Sequence, residues 1–198
     1  MPEASGLAVR RRRGGVSHAL TRGRTLSEAA LVRAARKGSE AAVEELFARH
    51  WSGAYRAALL VTGDRAAAED IAQEAFLSAV RALPSFDLRR PLRPWLHRIV
   101  VNRAIDWSRA RGLRNEVEAG AAGEPAAPEP RDSGLGDTIA AALRRLSAEQ
   151  RAVVVMRYFL ELTPGEIAEA LDLPRGTVNS RLRRGLDALG DMIGERPQ

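Results

Sequence analysis

Apolar residues recur three or four positions apart along most of the chain, which is the spacing of amphipathic helices. The recurrence falls into two groups, over residues 26–112 and 137–193. Between them, residues 113–136 have no periodicity and are dominated by Glu, Ala, Gly and Pro. Neither group has the alternation of a half-buried strand. The pattern therefore predicts an all-α protein, with two small helical domains joined by a flexible acidic linker.

Residues that favour helix ends divide the first group into four predicted helices. Ser27, Ser39 and Asp64 stand where N-caps are expected, and each is followed by an apolar stripe. Pro91 or Pro94 stands in the first turn of the fourth helix, and Gly112 is predicted to end it. The segment between Pro84 and Pro91 is predicted to be a loop.

The second group contains the strongest local motif, TPGEIAEALDLPRGTVNSRLRRGL over residues 163–186. Asp137 is predicted to cap the first helix of this group, and Ser147-Ala-Glu-Gln is a capping box before the second. Thr163-Pro-Gly-Glu is another capping box, and Asp172-Leu-Pro is a tight break before a basic helix. A short capped helix, a turn and a second helix predict a helix-turn-helix motif. A helical hairpin with a solvated basic face is the alternative interpretation.

The net charge of +6 is distributed unevenly. Residues 1–25 carry +5 and are predicted to form a disordered basic arm, whereas residues 26–112, 113–136 and 137–198 carry +4, −3 and 0. Within the neutral last segment, residues 175–184 hold four Arg and no acid. This local separation of charge is what a helix in the DNA major groove requires.

Two further stretches carry candidate binding chemistry. Residues 89–111 contain seven Arg and one acid, interleaved with Trp95 and Trp107. Basic groups beside aromatic rings suit single-stranded or melting DNA, although either Trp could belong to the core. In Glu69–Glu74, polar residues share an outer face. That face is either simply solvated or a surface that binds another protein.

In this order and spacing, four stretches resemble the extracytoplasmic-function sigma factors, which are bacterial RNA polymerase specificity subunits. They are LVTGDRAAAEDIAQEAFL (60–77), RPWLHRIVVNRAIDWSR (93–109), LSAEQRAVVVMRY (146–158) and EIAEALDLPRGTVNSRLRRGL (166–186). The resemblance implies that residues 26–112 are sigma region 2 and residues 137–193 are sigma region 4. A single linker between two helical blocks also fits this group.

The resemblance implies three sets of site residues. The set expected to bind the polymerase β′ clamp is Asp70, Gln73, Glu74 and Phe76. The set expected to capture and read the −10 element is Ser85, Phe86, Asp87, Trp95, Arg98 and Asn102. The set expected to read the −35 element is Arg175, Thr177, Asn179, Ser180, Arg183 and Arg184. Region 4 is also expected to contact the polymerase β flap.

Three positions depart from the family pattern. Asn179 stands where Lys or Arg is frequent, and Arg183 stands where apolar residues also occur. Both positions are expected to face DNA, so they bear on which −35 sequence is read. Pro164 replaces a more usual aromatic or polar residue.

The resemblance thus implies a sigma factor that binds core polymerase and promoter DNA, and an anti-sigma partner is expected with it. The alternatives are an autonomous helix-turn-helix regulator and a helical adaptor that binds only protein. No enzymatic activity, cofactor or metal is expected, because the chain has no cysteine, only three scattered histidines and no visible nucleophile-base pair. No apolar run approaches a membrane span of ~18 residues, so a cytoplasmic protein without membrane insertion is expected.

Overall fold

The computed structural model describes residues 26–119 and 135–194 of the chain. The predicted basic arm and residues 120–134 of the predicted linker lie outside this part. Within the two described ranges every regular element is helical. The all-α prediction is therefore confirmed for the part of the chain that the structure describes.

The helices fall into an N-terminal unit, α1–α4, and a C-terminal unit, α5–α8. The N-terminal helices are α1 Glu28–Arg36, α2 Glu40–Thr62, α3 Arg65–Ala82 and α4 Leu92–Ala119, with a 3₁₀ turn at Leu83–Ser85. The C-terminal helices are α5 Leu135–Arg144, α6 Ala148–Tyr158, α7 Pro164–Leu171 and α8 Arg175–Gly194.

The predicted N-caps form in the N-terminal unit. The side chains of Ser27, Ser39 and Asp64 each accept a hydrogen bond from a backbone N–H three residues further on. These bonds satisfy amides that the first helical turn leaves unpaired. Gly63 ends α2 at φ 69°, a left-handed conformation that glycine adopts without a Cβ penalty.

Two predicted helix boundaries, the end of α4 and the start of α5, are wrong. Gly112 does not end α4, which continues through it to Ala119, and α5 begins at Leu135 rather than after Asp137. A glycine inside a helix costs only about 1 kcal/mol relative to alanine, and the helix-favouring residues beyond it offset that cost. Glycine ends a helix only where the chain turns into a left-handed conformation, as at Gly63.

Small residues allow the helices of the N-terminal unit to approach closely. Ala54, Ala57 and Ala58 on α2 are fully buried, and α2 packs against both α3 and α4. A second cluster forms where α1 covers the segment between α3 and α4, with Leu31 and Val32 as its α1 members.

Polar groups also tie α1, α2 and α4 together. One carboxylate oxygen of Glu28 lies 3.0 Å from Nε2 of His50, and the other accepts the N–H of Leu92 at 3.0 Å. A carboxylate at the start of α4 is favoured by the helix dipole. The neighbouring His97 is 2 % exposed, and burial, aided by the charge of Arg93 and by His50, lowers its pKa to about 4.

The C-terminal unit packs directly against the N-terminal unit. α6 contacts α2 and α4, α7 contacts α4, and buried residues of both units form one continuous apolar cluster. The sequence predicted two domains joined by a linker but not how they pack. This arrangement required the tertiary structure.

Within the C-terminal unit, α8 crosses α6 at a glycine. A Cβ added at Gly185 would lie 3.0 Å from Cγ2 of Val154, which is tighter than ordinary van der Waals contact.

Periodicity also places Ile139 and Leu186 on apolar stripes, yet they are 46 % and 40 % exposed. These two side chains lie at the edge of the packed surface rather than in its centre.

The buried His97 generates a pH prediction. The pKa of His97 is about 4 in the folded protein and 6.5 ordinarily, so the unfolded chain takes up the proton first as the pH falls. The free energy of unfolding is therefore at its full value above pH 6.5 and decreases as the pH falls towards 4. We expect acidification from pH 7 to pH 4 to cost about 3 kcal/mol through this group. Urea unfolding of His97→Gln should show a pH dependence that is smaller by that amount.

His50→Gln is the matched control. Burial lowers the pKa of His50 as well, but Glu28 acts in the opposite direction, so we expect a smaller change. Identical pH dependence in the wild type and His97→Gln would contradict the assignment.

Two glycines of α8, one exposed and one buried, generate a stability prediction. A Cβ added at Gly190 would meet only open space, so Gly190→Ala should raise the free energy of unfolding by about 0.5–1 kcal/mol. Gly185→Ala should leave it at or below the wild-type value, because Val154 must shift. Denaturant titration of both variants measures the difference, and equal stabilisation by both would contradict the close approach at Gly185.

Candidate nucleic-acid interface

The predicted helix-turn-helix is formed by α7 and α8. The backbone N–H of Thr163 donates to Oε2 of Glu166 at 2.7 Å, and the N–H of Glu166 donates back to Oγ1 of Thr163 at 3.3 Å. Hydrogen bonds from Thr163 lower the pKa of Glu166, which keeps the cap ionised. Asp172 then adopts φ 52°, and the N–H of Leu173 closes α7 on the carbonyl of Ala168. Both predicted capping boxes are confirmed.

The −35 set lies along the first half of α8. Val178 and Leu182 are buried towards the rest of the unit, and the predicted residues occupy the other sides of the helix. Of these, Arg175, Asn179, Arg183 and Arg184 are exposed, whereas Thr177 and Ser180 are half-buried. The hydroxyl of Ser180 donates to the carbonyl of Thr177 at 3.0 Å.

The arginines of this face are not neutralised by neighbouring acids. Among the described residues, no carboxylate lies within ion-pair distance of Arg175, Arg183 or Arg184. Their guanidinium groups are therefore available to an anionic ligand. Arginine binds phosphate oxygens and the acceptor atoms of guanine in a bidentate geometry.

The three residues of α4 that are predicted to read the −10 element lie on one side of that helix, at intervals of three and four. Trp95 is half-buried, with its ring centroid 4.8 Å from that of Phe86, and Arg98 is exposed. The side-chain amide of Asn102 donates to the carbonyl of Ala170 in α7 at 3.4 Å. Trp95 and Arg98 line a cleft of about 240 Å³ between α4 and α7.

The loop before α4 presents only part of its predicted set. Ser85 and Asp87 are exposed, and Asp87 accepts hydrogen bonds from the backbone N–H and Nε of Arg89 at 3.0 and 3.1 Å. These bonds, the backbone one above all, lower the pKa of Asp87. The ring of Phe86 is 7 % exposed and lies in the core, so in this conformation it does not offer a free stacking surface.

Arg36 positions this loop, and the sequence pattern did not single it out. Its Nε donates to the carbonyl of Leu83 at 2.7 Å, and its Nη2 donates to the carbonyl of Phe86. The only feature of the sequence that pointed to a role for Arg36 is its place in the last turn of α1. Basic residues there often interact favourably with the negative end of the helix dipole.

The acidic face lies on α3, away from α8. Asp70, Gln73 and Glu74 are exposed, and Glu74 pairs with Arg103 of α4 at 2.9 Å. Phe76 is instead buried, with its ring 4.8 Å from that of Phe47. The exposed side chains of Phe47, Leu77 and Val80 add an apolar area that the sequence pattern did not predict.

Neither a metal cluster nor a membrane span occurs in the described ranges. They contain no group of three or more acidic or histidine side chains arranged to hold a metal ion. No helix in them is both long enough and apolar enough to cross a membrane.

Comparison with known proteins matches both units. Residues 33–114 match the family model of Sigma-70 region 2, and residues 137–189 match that of Sigma-70, region 4. ECF RNA polymerase sigma factor SigL of Mycobacterium tuberculosis is 36% identical over 172 residues, covering 84% of this chain and 91% of the relative. SigW of Bacillus subtilis is 32% identical over 172 residues, covering 80% and 92%.

A solved structure has the same fold. CnrH, in complex with the cytosolic domain of CnrY, superposes with a TM-score of 0.63 at 26% identity, covering 86% of this chain and 99% of CnrH. Both halves of the chain, their order and the motifs on α3, α4, α7 and α8 therefore agree with one family. The chain belongs to the ECF RNA polymerase sigma factors of the sigma-70 family.

Proposed function

We propose that this sigma factor binds core RNA polymerase and directs initiation at promoters by reading −35 and −10 elements and promoting melting. The observation that carries the proposal is the separation of its surfaces. On α8, Arg175, Arg183 and Arg184 have no carboxylate within ion-pair distance among the described residues, and an exposed acidic face lies on α3. The polymerase supplies the catalysis, and the sigma factor supplies only binding energy and position.

At the −35 element, α8 enters the major groove while α7 braces it. Contacts from arginines to phosphates supply affinity that falls as salt rises. Contacts to base edges supply specificity, at about 1–3 kcal/mol for a good bidentate pair. Arg183 and Arg184, exposed near the middle of α8, are suited to both kinds of contact, and Asn179 is suited to adenine.

At the −10 element, α4 and the preceding loop bind the separated strand. Trp95 supplies an aromatic surface for a base, and Arg98 and Asn102 supply a cation and an amide. Ser85 and Asp87 are exposed beside them, where a flipped base could be hydrogen-bonded. Those contacts must offset the cost of unstacking the base. Phe86 contributes through its packing on Trp95 as long as its ring stays in the core.

The acidic face of α3 docks on the β′ clamp of the polymerase. Asp70 and Gln73 are exposed on this face, beside the exposed apolar side chains of Leu77 and Phe47. An apolar centre with a charged rim is the usual composition of a protein interface. Phe76 supports this face from beneath, because its ring is buried. The C-terminal unit is expected to bind the β flap.

An anti-sigma factor is the expected regulatory partner. The solved structure of CnrH contains the cytosolic domain of CnrY, and a second fold relative, RpoE of Bartonella quintana, is in complex with the anti-sigma factor NepR. The same fold and domain order support an equivalent partner for this chain.

Run-off transcription tests the proposed function as a whole. We expect core polymerase with this protein to produce a transcript of defined length from its cognate promoter, and core polymerase alone to produce none. A genomic fragment library supplies the templates, so the promoter need not be known beforehand. If the protein adds no specific initiation from any fragment, the proposal fails.

Two substitutions test the separation of the surfaces. Asp70→Ala should weaken binding of the full chain to core polymerase roughly tenfold, the equivalent of about 1.4 kcal/mol. It should leave binding to a −35 duplex unchanged. Arg184→Ala should do the reverse and cost about 1–3 kcal/mol in duplex binding. Fluorescence anisotropy measures both affinities.

Exposed residues outside both surfaces provide the matched controls. Asp191→Ala removes an exposed acid and Arg56→Ala removes an exposed arginine, and we expect neither to change either affinity. Equal loss of both activities in Asp70→Ala would contradict the assignment of that face.

A further inference from the structure

We propose that α1 determines base selectivity at the −10 element, with Arg36 and Glu28 as positioning residues for the α3–α4 loop, residues 83–91. The proposal rests on the proposed function, because it takes Ser85 and Asp87 of this loop as the side chains that meet a flipped base. Neither positioning residue contacts DNA. Both act by fixing where the loop lies, and the position of the loop sets which base it accepts.

Arg36 holds the first half of the α3–α4 loop. Its Nε donates to the carbonyl of Leu83 at 2.7 Å, and its Nη2 donates to the carbonyl of Phe86. Leu83 caps the C-terminal end of α3, where carbonyls have no partner within the helix. Phe86 stands in the sequence between Ser85 and Asp87. One guanidinium therefore fixes the backbone that carries both exposed candidate side chains.

Glu28 holds the other end of the loop. Its carboxylate accepts the N–H of Leu92, the first residue of α4, at 3.0 Å. The preceding residue is Pro91, whose side chain has no oxygen with which to cap the helix. The acceptor for this amide therefore comes from α1 instead of from the adjacent sequence.

The charges of the two positioning residues match the helix ends that they meet. The cation of Arg36 lies at the C-terminal end of α3, and the anion of Glu28 lies at the N-terminal end of α4. Helix dipoles favour these signs at these ends. The two residues are eight positions apart on α1, or about 12 Å along the helix axis. α1 therefore spans the loop and fixes both of its ends.

Apolar contacts join α1 to the loop between the two polar ones. Leu31 and Val32 of α1 belong to one buried cluster that also contains Leu83, Phe86 and Leu92. Both candidate side chains of the loop are exposed. The loop is thus packed on α1 through its buried residues and presents its polar residues to solvent.

A guanidinium is suited to this role because its donors form a rigid planar fork, whereas a lysine carries one ammonium on a flexible stem. Hydrogen bonds to a base depend on distance and angle. Binding groups have to be held to within about 0.5 Å by the residues that support them. A loop released from Arg36 keeps Ser85 and Asp87 but no longer presents them at one position, so it discriminates less between bases.

A promoter library tests the proposal with holoenzyme formed from core polymerase and the full chain. The templates derive from a fragment that initiates in the run-off assay, with each base of its −10 and −35 elements varied, and all compete in one reaction. The measured quantity is the selectivity ratio, defined at each position as transcripts from the preferred base over transcripts from the least preferred base. A smaller fraction of active protein cancels in this ratio, so a merely structural defect leaves it unchanged.

We expect Arg36→Lys to lower the selectivity ratio roughly fivefold at one or two adjacent positions of the −10 element, and to leave the ratios of the −35 element unchanged. The matched control is Arg33→Gln, which removes an exposed arginine from the same last turn of α1 and should change no ratio. Unchanged ratios in Arg36→Lys overturn the proposal. An equal fall at every position of both elements also overturns it, because the effect is then not confined to the loop.

Substitutions at Glu28 provide an independent measurement, which also decides the case in which Arg36→Lys does not fold. Glu28→Gln keeps an oxygen for the N–H of Leu92 and should retain the wild-type ratios. Glu28→Ala removes the acceptor and should lower the same −10 ratios as Arg36→Lys. His50→Gln is the control, because it changes only the partner of the other carboxylate oxygen of Glu28. Equal ratios in Glu28→Ala and Glu28→Gln overturn the role of Glu28.

Tryptophan fluorescence reports the position of the loop in the protein alone. The ring centroids of Phe86 and Trp95 are 4.8 Å apart, so a displaced loop changes the surroundings of Trp95. Trp51→Phe and Trp107→Phe leave Trp95 as the one tryptophan of the chain. In that background we expect Arg36→Lys to shift the emission to longer wavelength while the far-UV circular dichroism stays the same. Unchanged emission contradicts displacement of the loop.

The wild-type ratios separate the failure of this proposal from the failure of the proposed function. Absence of initiation by the wild type contradicts the proposed function itself. Wild-type initiation with −10 ratios close to one contradicts the proposed reading of the −10 element, and this proposal with it. Wild-type discrimination that Arg36→Lys and Glu28→Ala both retain overturns only the role of α1.

Discussion

The arrangement of the two units depends on how the ends of α2 and α5 are satisfied. Both helices end where Arg151 of α6 donates to their carbonyls, and apolar residues of α2, α4 and α6 close around it. Buried carbonyls at a helix end require a donor, and a buried guanidinium requires acceptors. Nη1 and Nη2 of Arg151 supply the donors that these carbonyls require, and the bonds join α6 to the ends of α2 and α5, while Nε is buried without a hydrogen-bond partner.

The same packing assigns different environments to surfaces that look alike in sequence. Arginines of α8 face solvent, whereas Arg90 and Arg109 are paired with acids of the C-terminal unit. The acidic residues of α3 remain exposed, but Glu74 is engaged by Arg103. Affinity for a polyanion depends on free cations rather than on their total number. The net charge of +6 therefore says little about where nucleic acid binds.

Helix boundaries were predictable where a local interaction determines them. The caps at Ser27, Ser39 and Asp64 and the two capping boxes form within four residues of sequence, so the side chains that stop or start a helix are adjacent in the chain. The end of α4 was not predictable from Gly112. Glycine permits both a helical and a left-handed conformation, and nothing in the adjacent sequence forces the latter.

The sequence by itself determined the helical content, the order of the two units, the helix-turn-helix and the outward face of α8, because a periodicity of 3.6 residues records the buried side of each helix. It also carried the family motifs. Only the tertiary structure decided that Phe86 is buried, that Asn102 is engaged by α7, and that Arg151 lies in the interior. A charged residue is expected at the surface by default. The burial of Arg151 depends on carbonyls at the ends of other helices, Val61 of α2 and Arg144 of α5. No local sequence pattern indicates where those helix ends lie in space.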